Sequence, residues 1–398
     1  RALAMRLAYG AVQRRATLDH LIEGCAGRPV GRLDPVVRAA LRLGAYELCF
    51  TADAPHAAVN EAVALASASR GKGLVNAVLR RLARDGPALL AALGDDTAAS
   101  AAIRHSMPRW VAERWWSELG PDHARALLAR ANEPAESSLR ANTLVGDAGR
   151  LAAELPVSAT ACGDPPEAVV LGEPFDAHGS PLWRAGAFMP QSRASMLAAR
   201  ALDPRPGDRV LDMCAAPGAK TTHLAALTAG RAEILAVELR QSRAQALRRT
   251  LARMHAPAVA ILVADAATAR LPAGGFERVL LDAPCSGLGT LSSRPDLRWR
   301  ASPEGVQSLA GEQARLLSAA ALATAPGGTL VYSTCTISAA ENERRIGAFL
   351  DEHGDFTAID LGQRFPAWRH PAGGPALLAL PHLQGSDGFF VAALRREG

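Results

Sequence analysis

Two cysteines of this chain stand where a cysteine that only fills space has no need to be. Cys285 lies in Asp282-Ala283-Pro284-Cys285-Ser286-Gly287 and Cys335 in Tyr332-Ser333-Thr334-Cys335-Thr336. Each follows a short apolar run, Arg278-Val279-Leu280-Leu281 and Thr329-Leu330-Val331. A thiolate that adds to C6 of a cytosine turns the ring into an enamine and makes C5 nucleophilic. Once C5 has gained a methyl group, a base must take its proton so that the thiol can leave. That chemistry asks for a nucleophile, a base and an acid near N3. Cys335, Cys285 and Asp282 supply all three, and the residues alone leave open which thiol attacks. Cys25, Cys49 and Cys162 have no such surroundings and read as small buried hydrophobes.

Positioning these groups requires a sheet. From about residue 195 the pattern alternates strand, loop and helix. Strands are predicted near 208–213, 232–238, 258–264, 277–282 and 328–334, and helices near 219–229, 240–254, 303–325 and 339–352. Continuous apolar strands alternating with helices predict an α/β fold with a mostly parallel, doubly wound sheet. Gly388–Leu394 reads as a final edge strand, antiparallel to its neighbour.

In such sheets ligands bind at the carboxyl ends of the strands. Asp212, Glu238, Asp265 and Asp282 are expected there in turn, beside the turn Cys214-Ala215-Ala216-Pro217-Gly218-Ala219-Lys220. Glu238 falls about 20 residues past the loop, where a carboxylate accepts hydrogen bonds from ribose hydroxyls. Asp265 is placed to reach an adenine amino group. The loop has one glycine and no GxGxxG, so it is not built to cradle a pyrophosphate. A rim of carboxylates with few glycines favours S-adenosyl-L-methionine over NAD. The backbone of Cys214 is expected to touch that ligand while its thiol does no chemistry.

The 398 residues are too many for one ordinary core. Residues 1–86 read as an all-α bundle, with helical spacing in Val36, Val37, Ala40, Leu41 and Leu48 and a helix opening after Pro55. Residues 87–100 read as a linker, 101–190 as a small α+β insert, and 191–398 as the catalytic domain. Residues 1–86 carry 13 Lys and Arg against 7 Asp and Glu, a net of +6 in a chain whose total is +5. A basic terminal module suggests RNA. Lys72 and Lys220 are the only lysines among the 44 basic residues. A lysine kept in so arginine-rich a chain is expected to be held by geometry. The six scattered cysteines form no CxxC pair, which excludes a disulfide framework and a structural zinc site. No leader and no long apolar run is visible. A cytoplasmic monomer that uses no metal and no membrane is the expectation.

Asp212–Thr221, Asp282–Gly287, Arg294-Pro-Asp-Leu-Arg-Trp299 and Ser333–Ile337 together resemble the RNA 5-methylcytosine methyltransferases of the Nop2/Sun group. Arg140-Ala-Asn-Thr-Leu144 is similar to the motif that precedes the catalytic domain there. His56–Val63 and Val75–Arg81 resemble a NusB-like RNA-binding domain, which would begin here at its second helix. That fusion is typical of members acting on 16S rRNA. The resemblance implies a Rossmann-like class I methyltransferase domain. Cys214 through Lys220, Glu238, Asp265 and Asp282 would hold S-adenosylmethionine, Cys335 would be the nucleophile, and Cys285 would assist release. The chain departs from the group's pattern at Ala219, where a second glycine is usual, and at Glu238, where Asp is usual. The run Ser338-Ala-Ala-Glu341-Asn342 also lacks the usual proline and first glutamate. Two other readings are an RNA-binding or antitermination module, which leaves the catalytic half unused, and a NAD-type oxidoreductase, which leaves the two thiols unexplained.

Overall fold

The structure, a computed structural model, describes residues 2–256 and 258–398. The chain divides into two compact units, Arg1–Glu133 with Leu291–Arg300, and Pro134–Thr290 with Ala301–Gly398.

The described residues of the first unit up to Glu133 form helices joined by short loops, with no strand. Its core is built from Leu18, Leu21, Ile22, Val37, Leu41, Val75, Leu79 and Leu82, contributed by the helices Arg15–Ala26, Pro35–Phe50 and Lys72–Ala91. Asp34 caps the helix Pro35–Phe50 by accepting from the amides of Val36 and Val37, with a proline at the first helical position, where its missing N–H costs nothing. The stretch expected to be a linker from residue 87 is helical at its start: Lys72–Ala91 runs through Pro87. An interior proline costs a helix about 3 kcal/mol. Leu90, beyond it, packs on the helical core and offsets that cost. The connection shrinks to residues 92–97, because Thr97 and Ser100 form a reciprocal capping box that starts the next helix at Ala98. Residues 101–133 cluster with these helices rather than with the small sheet that follows, since Ala102, Met107, Val111, Trp115 and Leu128 are buried within the same unit.

The second unit holds two sheets. β1 (Ser138–Ala141), β2 (Ala159–Ala161), β3 (Ala168–Leu171) and β4 (Phe188–Pro190) form a four-stranded antiparallel sheet in the order β2-β3-β1-β4. The larger sheet contains β5 (Arg209–Met213), β6 (Glu233–Glu238), β7 (Val259–Val263), β8 (Phe276–Asp282), β9 (Thr324–Thr334), β10 (Phe356–Ile359), β11 (Leu377–Ala379) and β12 (Phe389–Arg396). Its order is β10-β12-β9-β8-β5-β6-β7, with β11 also paired to β12. The five strands from β9 to β7 run parallel. Val210, Leu211, Val279, Leu280, Leu281, Leu330 and Val331 are fully buried, as expected of strands covered on both faces. The helix Arg193–Leu202 packs on β8, β9 and β12, and Pro303–Ala323 packs on β8 and β9.

Two expectations need correction here. β12 is antiparallel to β9 as predicted, but it is not an edge: β10 and β11 pair with it as well. These are strands of four and three residues, too short to show a period of two. The helix predicted from 339 begins at Glu343, because the side chains of Glu341 and Asn342 are bonded to the loop after β8 and to the end of β9 instead of extending a helix. No helix among the described residues is long and apolar enough to cross a membrane.

Candidate active site

From β5 the chain winds outward through β6 and β7, then returns to the other side of β5 for β8 and β9. The order therefore reverses between β5 and β8, and the loops leaving their carboxyl ends splay apart to leave a crevice. The parallel register pairs Asp282 with Ser333. Cys285 follows Asp282 by three residues and Cys335 follows Ser333 by two, so adjacent strands deliver both thiols to one place. Their sulfurs lie 3.4 Å apart in a hydrogen bond, and neither is in a disulfide. The neighbouring Cys335 thiol, and then burial, push the Cys285 thiol well above its ordinary range. Either sulfur can be the S–H donor of the pair. The two loops are also tied by backbone, as the amide of Gly289 donates to the Cys335 carbonyl at 3.0 Å. Gly289 must be a glycine: a Cβ there would stand 2.1 Å from the carbonyl oxygen of Gly388.

Asp282 ends β8 and is held at both oxygens. Oδ1 accepts from the Ser333 hydroxyl and Oδ2 from the Lys220 ammonium, each at 2.8 Å. Lys220 Nζ also lies 5.0 Å above the ring of Phe389. Geometry does hold this lysine, through a carboxylate on one side and an aromatic face on the other. Nothing in the sequence around Phe389 pointed to it; its place follows only from β12 lying next to β9.

On the other side of the crevice, the β5 loop turns at Cys214 (φ 64°) and Gly218 (φ 103°). At Gly218 a Cβ would also meet Leu247 at 2.7 Å, so the loop lies tight on the helix Gln241–Arg253. Burial pushes the Cys214 thiol up to about 12, which leaves it un-ionised and inert. The amides of Ala215 and Gly218 donate to the carbonyls of Val237 and Ala215, both at 2.9 Å. Asp212 is not on the rim as expected. It sits inside β5, fully buried, with Oδ2 accepting from the Thr221 hydroxyl at 2.6 Å, and burial raises its carboxyl to about 7. Glu238 ends β6. One oxygen accepts from the Arg240 amide at 3.0 Å and the other faces Arg243 at 3.4 Å. Arg243 donates in turn to the Ala216 carbonyl at 2.6 Å, bracing the loop against the carboxylate. In so arginine-rich a chain no sequence signal singled it out. Asp265 lies two residues past β7, half-exposed, accepting from the Ala267 amide and facing Arg315 at 3.5 Å. Among the described residues no group of three His, Cys, Asp or Glu side chains is placed to hold a metal ion.

The chain is similar to a known set of proteins. The family model for 16S rRNA methyltransferase RsmB/F matches residues 199–395, that of the NusB family residues 1–84, and that of an RsmF/B-like ferredoxin-like domain residues 107–178. The probable ribosomal RNA small subunit methyltransferase B of Synechocystis sp. is 36% identical, with all of this chain and 91% of that protein aligned. The ribosomal RNA small subunit methyltransferase B of Pseudomonas putida is 35% identical over 99% of this chain and 90% of its own length. Among solved structures, PH0851 is 28% identical with a TM-score of 0.83, covering 99% of this chain and 90% of that one.

Proposed function

Since the chain belongs to the RsmB/F family of 16S rRNA methyltransferases, we propose that it methylates C5 of a cytosine in 16S rRNA, with S-adenosylmethionine as donor and a covalent Cys335–C6 adduct as intermediate. The observation that carries this reading is the pair of sulfurs 3.4 Å apart at adjacent strand ends beside Asp282. A structural thiol pair needs neither a carboxylate held by a lysine nor a place at the crevice.

The β5 side of the crevice fits the donor. The amides of Ala215 and Gly218 are spent on protein carbonyls, so the loop is not built as a cradle for pyrophosphate. The carboxylates at the strand ends are acceptors suited to ribose hydroxyls and an amino group. Cys214 through Lys220, Glu238, Asp265 and Asp282 would hold S-adenosylmethionine, which supplies an electrophilic methyl group on its sulfonium. Glu238→Ala is expected to weaken its binding by about 2 kcal/mol, the worth of a charged acceptor. Isothermal titration reads this directly, and affinity within twofold of the parent would remove Glu238 from the site.

The rest of the reaction falls to the chain's own residues. The Cys335 thiolate forms a bond to C6, and electrons of the C5–C6 double bond move toward N3. Asp282, oriented by Ser333 and Lys220, is the group placed to pass N3 a proton, which it takes up from solvent as charge builds on the ring. C5 is then nucleophilic and is methylated. Cys285, as the thiolate left after its own proton goes to solvent, takes the proton from C5; that bond's electrons restore C5–C6, N3 returns its proton to Asp282, and the C6–S bond breaks with its electron pair going back to Cys335. Cys285 starts as a poor base because Cys335 beside it, and then burial, favour its protonated form. Adduct formation turns Cys335 into a thioether and removes the larger of these influences when a base is wanted. Incubation with unmodified 16S rRNA and bisulfite sequencing is expected to find one protected cytosine; methyl transfer without any protected cytosine overturns the C5 assignment.

A further inference from the structure

Glu341 and Asn342, in the turn before the helix Glu343–Glu352, take no part in the chemistry above, yet both are buried to within 1%. The Glu341 carboxylate accepts from the Ser286 amide at 2.8 Å, the Ser286 hydroxyl at 2.6 Å and the Thr336 hydroxyl at 3.4 Å. Gln313 Nε2 donates to the same carboxylate at 3.2 Å and to the Pro284 carbonyl at 2.9 Å. Asn342 accepts from the Thr334 hydroxyl at 2.6 Å and donates to the Thr336 carbonyl at 3.0 Å. Pro284 and Ser286 flank Cys285, and Thr334 and Thr336 flank Cys335. One dipeptide and one glutamine therefore grip the chain on both sides of each thiol. The Tyr332 hydroxyl, donating to the Glu341 carbonyl at 2.6 Å, fixes the dipeptide itself to β9.

We propose that Glu341 and Asn342 are positioning residues, a clasp that sets the separation and direction of the Cys285 and Cys335 sulfurs. The need follows from the reaction proposed above, on which this inference rests. Two different sulfurs must serve adjacent ring carbons, one bonding to C6 and one reaching the proton on C5. Each comes from a loop that leaves its strand before the cysteine, where the sheet no longer fixes it. A misplacement of 1 Å costs such a step about 100-fold. These hydrogen bonds go to the neighbours of both cysteines and hold the loops without touching the sulfurs.

The test reads the thiol geometry separately from catalysis. Diamide takes two electrons and two protons from a thiol pair, becoming a hydrazine as the disulfide forms, and the rate depends on how the sulfurs are set. Full-length Glu341→Gln keeps the shape but turns an amide N–H toward the Ser286 and Thr336 hydroxyls. Asn342→Ala releases Thr334 and Thr336 while leaving Glu341, so one variant remains if the other fails to fold. Expected in each is a fall in kcat of about 100-fold with KM for RNA unchanged, together with a Cys285–Cys335 disulfide that closes more slowly by mass spectrometry. Lower kcat with unchanged disulfide closure overturns the clasp, as does no change in either. If the parent forms no 5-methylcytosine but the variants still close the disulfide slowly, the clasp stands and the proposed reaction falls.

Discussion

Cys335→Ala is expected to lose methylation by roughly 10⁴- to 10⁶-fold, the scale on which removing an attacking group acts, and to form no covalent RNA adduct. Cys285→Ala is expected to behave differently. It retains the attacking sulfur, so it adds to C6 and methylates C5 once, then fails to clear the proton and stays bound to its RNA. A denaturing gel should show a slow protein–RNA band for Cys285→Ala and none for Cys335→Ala. Misfolding does not easily mimic this asymmetry, because the sulfurs are 3.4 Å apart on loops of one sheet; circular dichroism of both variants checks it. A band from Cys335→Ala alone exchanges the two roles. Two inactive variants with no band leave one thiol structural.

The second large effect concerns stability and lies in the helical unit. Arg298 is fully buried there. Its guanidinium donates to the carbonyls of Gln13, Ser106, Ala131 and Leu291 and to the Asn132 side-chain oxygen, at 3.0–3.2 Å. Burial lowers it to about 10. Trp299 adds a bond of 2.6 Å to the Val12 carbonyl. Arg298→Met keeps much of the volume but leaves five oxygens without this donor. A loss of about 3–5 kcal/mol is expected, as for removing one side of a buried charged network, read as an earlier unfolding transition in urea. A loss under about 1 kcal/mol would mean that water replaces the guanidinium and that the residue does not anchor the segment.

Arg298 also marks where the sequence stops being legible. Arg294–Trp299 stood out as a motif by resemblance, but its spacing gave no hint that it would be buried among helices from the other end of the chain. Such a partner is set by tertiary packing, which leaves no periodic trace. The parallel strands were readable because strands covered on both faces are continuous apolar runs, and the two cysteine loops followed from where those runs end. The interior place of β12 was not readable, since β10 and β11 are too short to carry a pattern. The linker expected over 87–100 differs at its start for a related reason: the helix runs on through Pro87 with Leu90 packed on the core. At the site, Lys220 could be suspected from its rarity, whereas its partners Asp282 and Phe389 meet only through sheet order. Glu341 was visible as a residue, but its bonds to Ser286 and Thr336 depend on a turn that pattern alone reads as helix.

The central claim is a bond between Cys335 and C6 of the target base. RNA carrying 5-fluorocytidine at the modified position tests it directly, because fluorine replaces the proton that must leave and so arrests the reaction after methyl transfer. Digestion of the arrested complex and peptide mass spectrometry should place a nucleotide mass plus a methyl group on Cys335. Nucleotide mass on Cys285, or methyl transfer to unsubstituted RNA with no adduct on either cysteine in the fluorinated complex, would contradict the account.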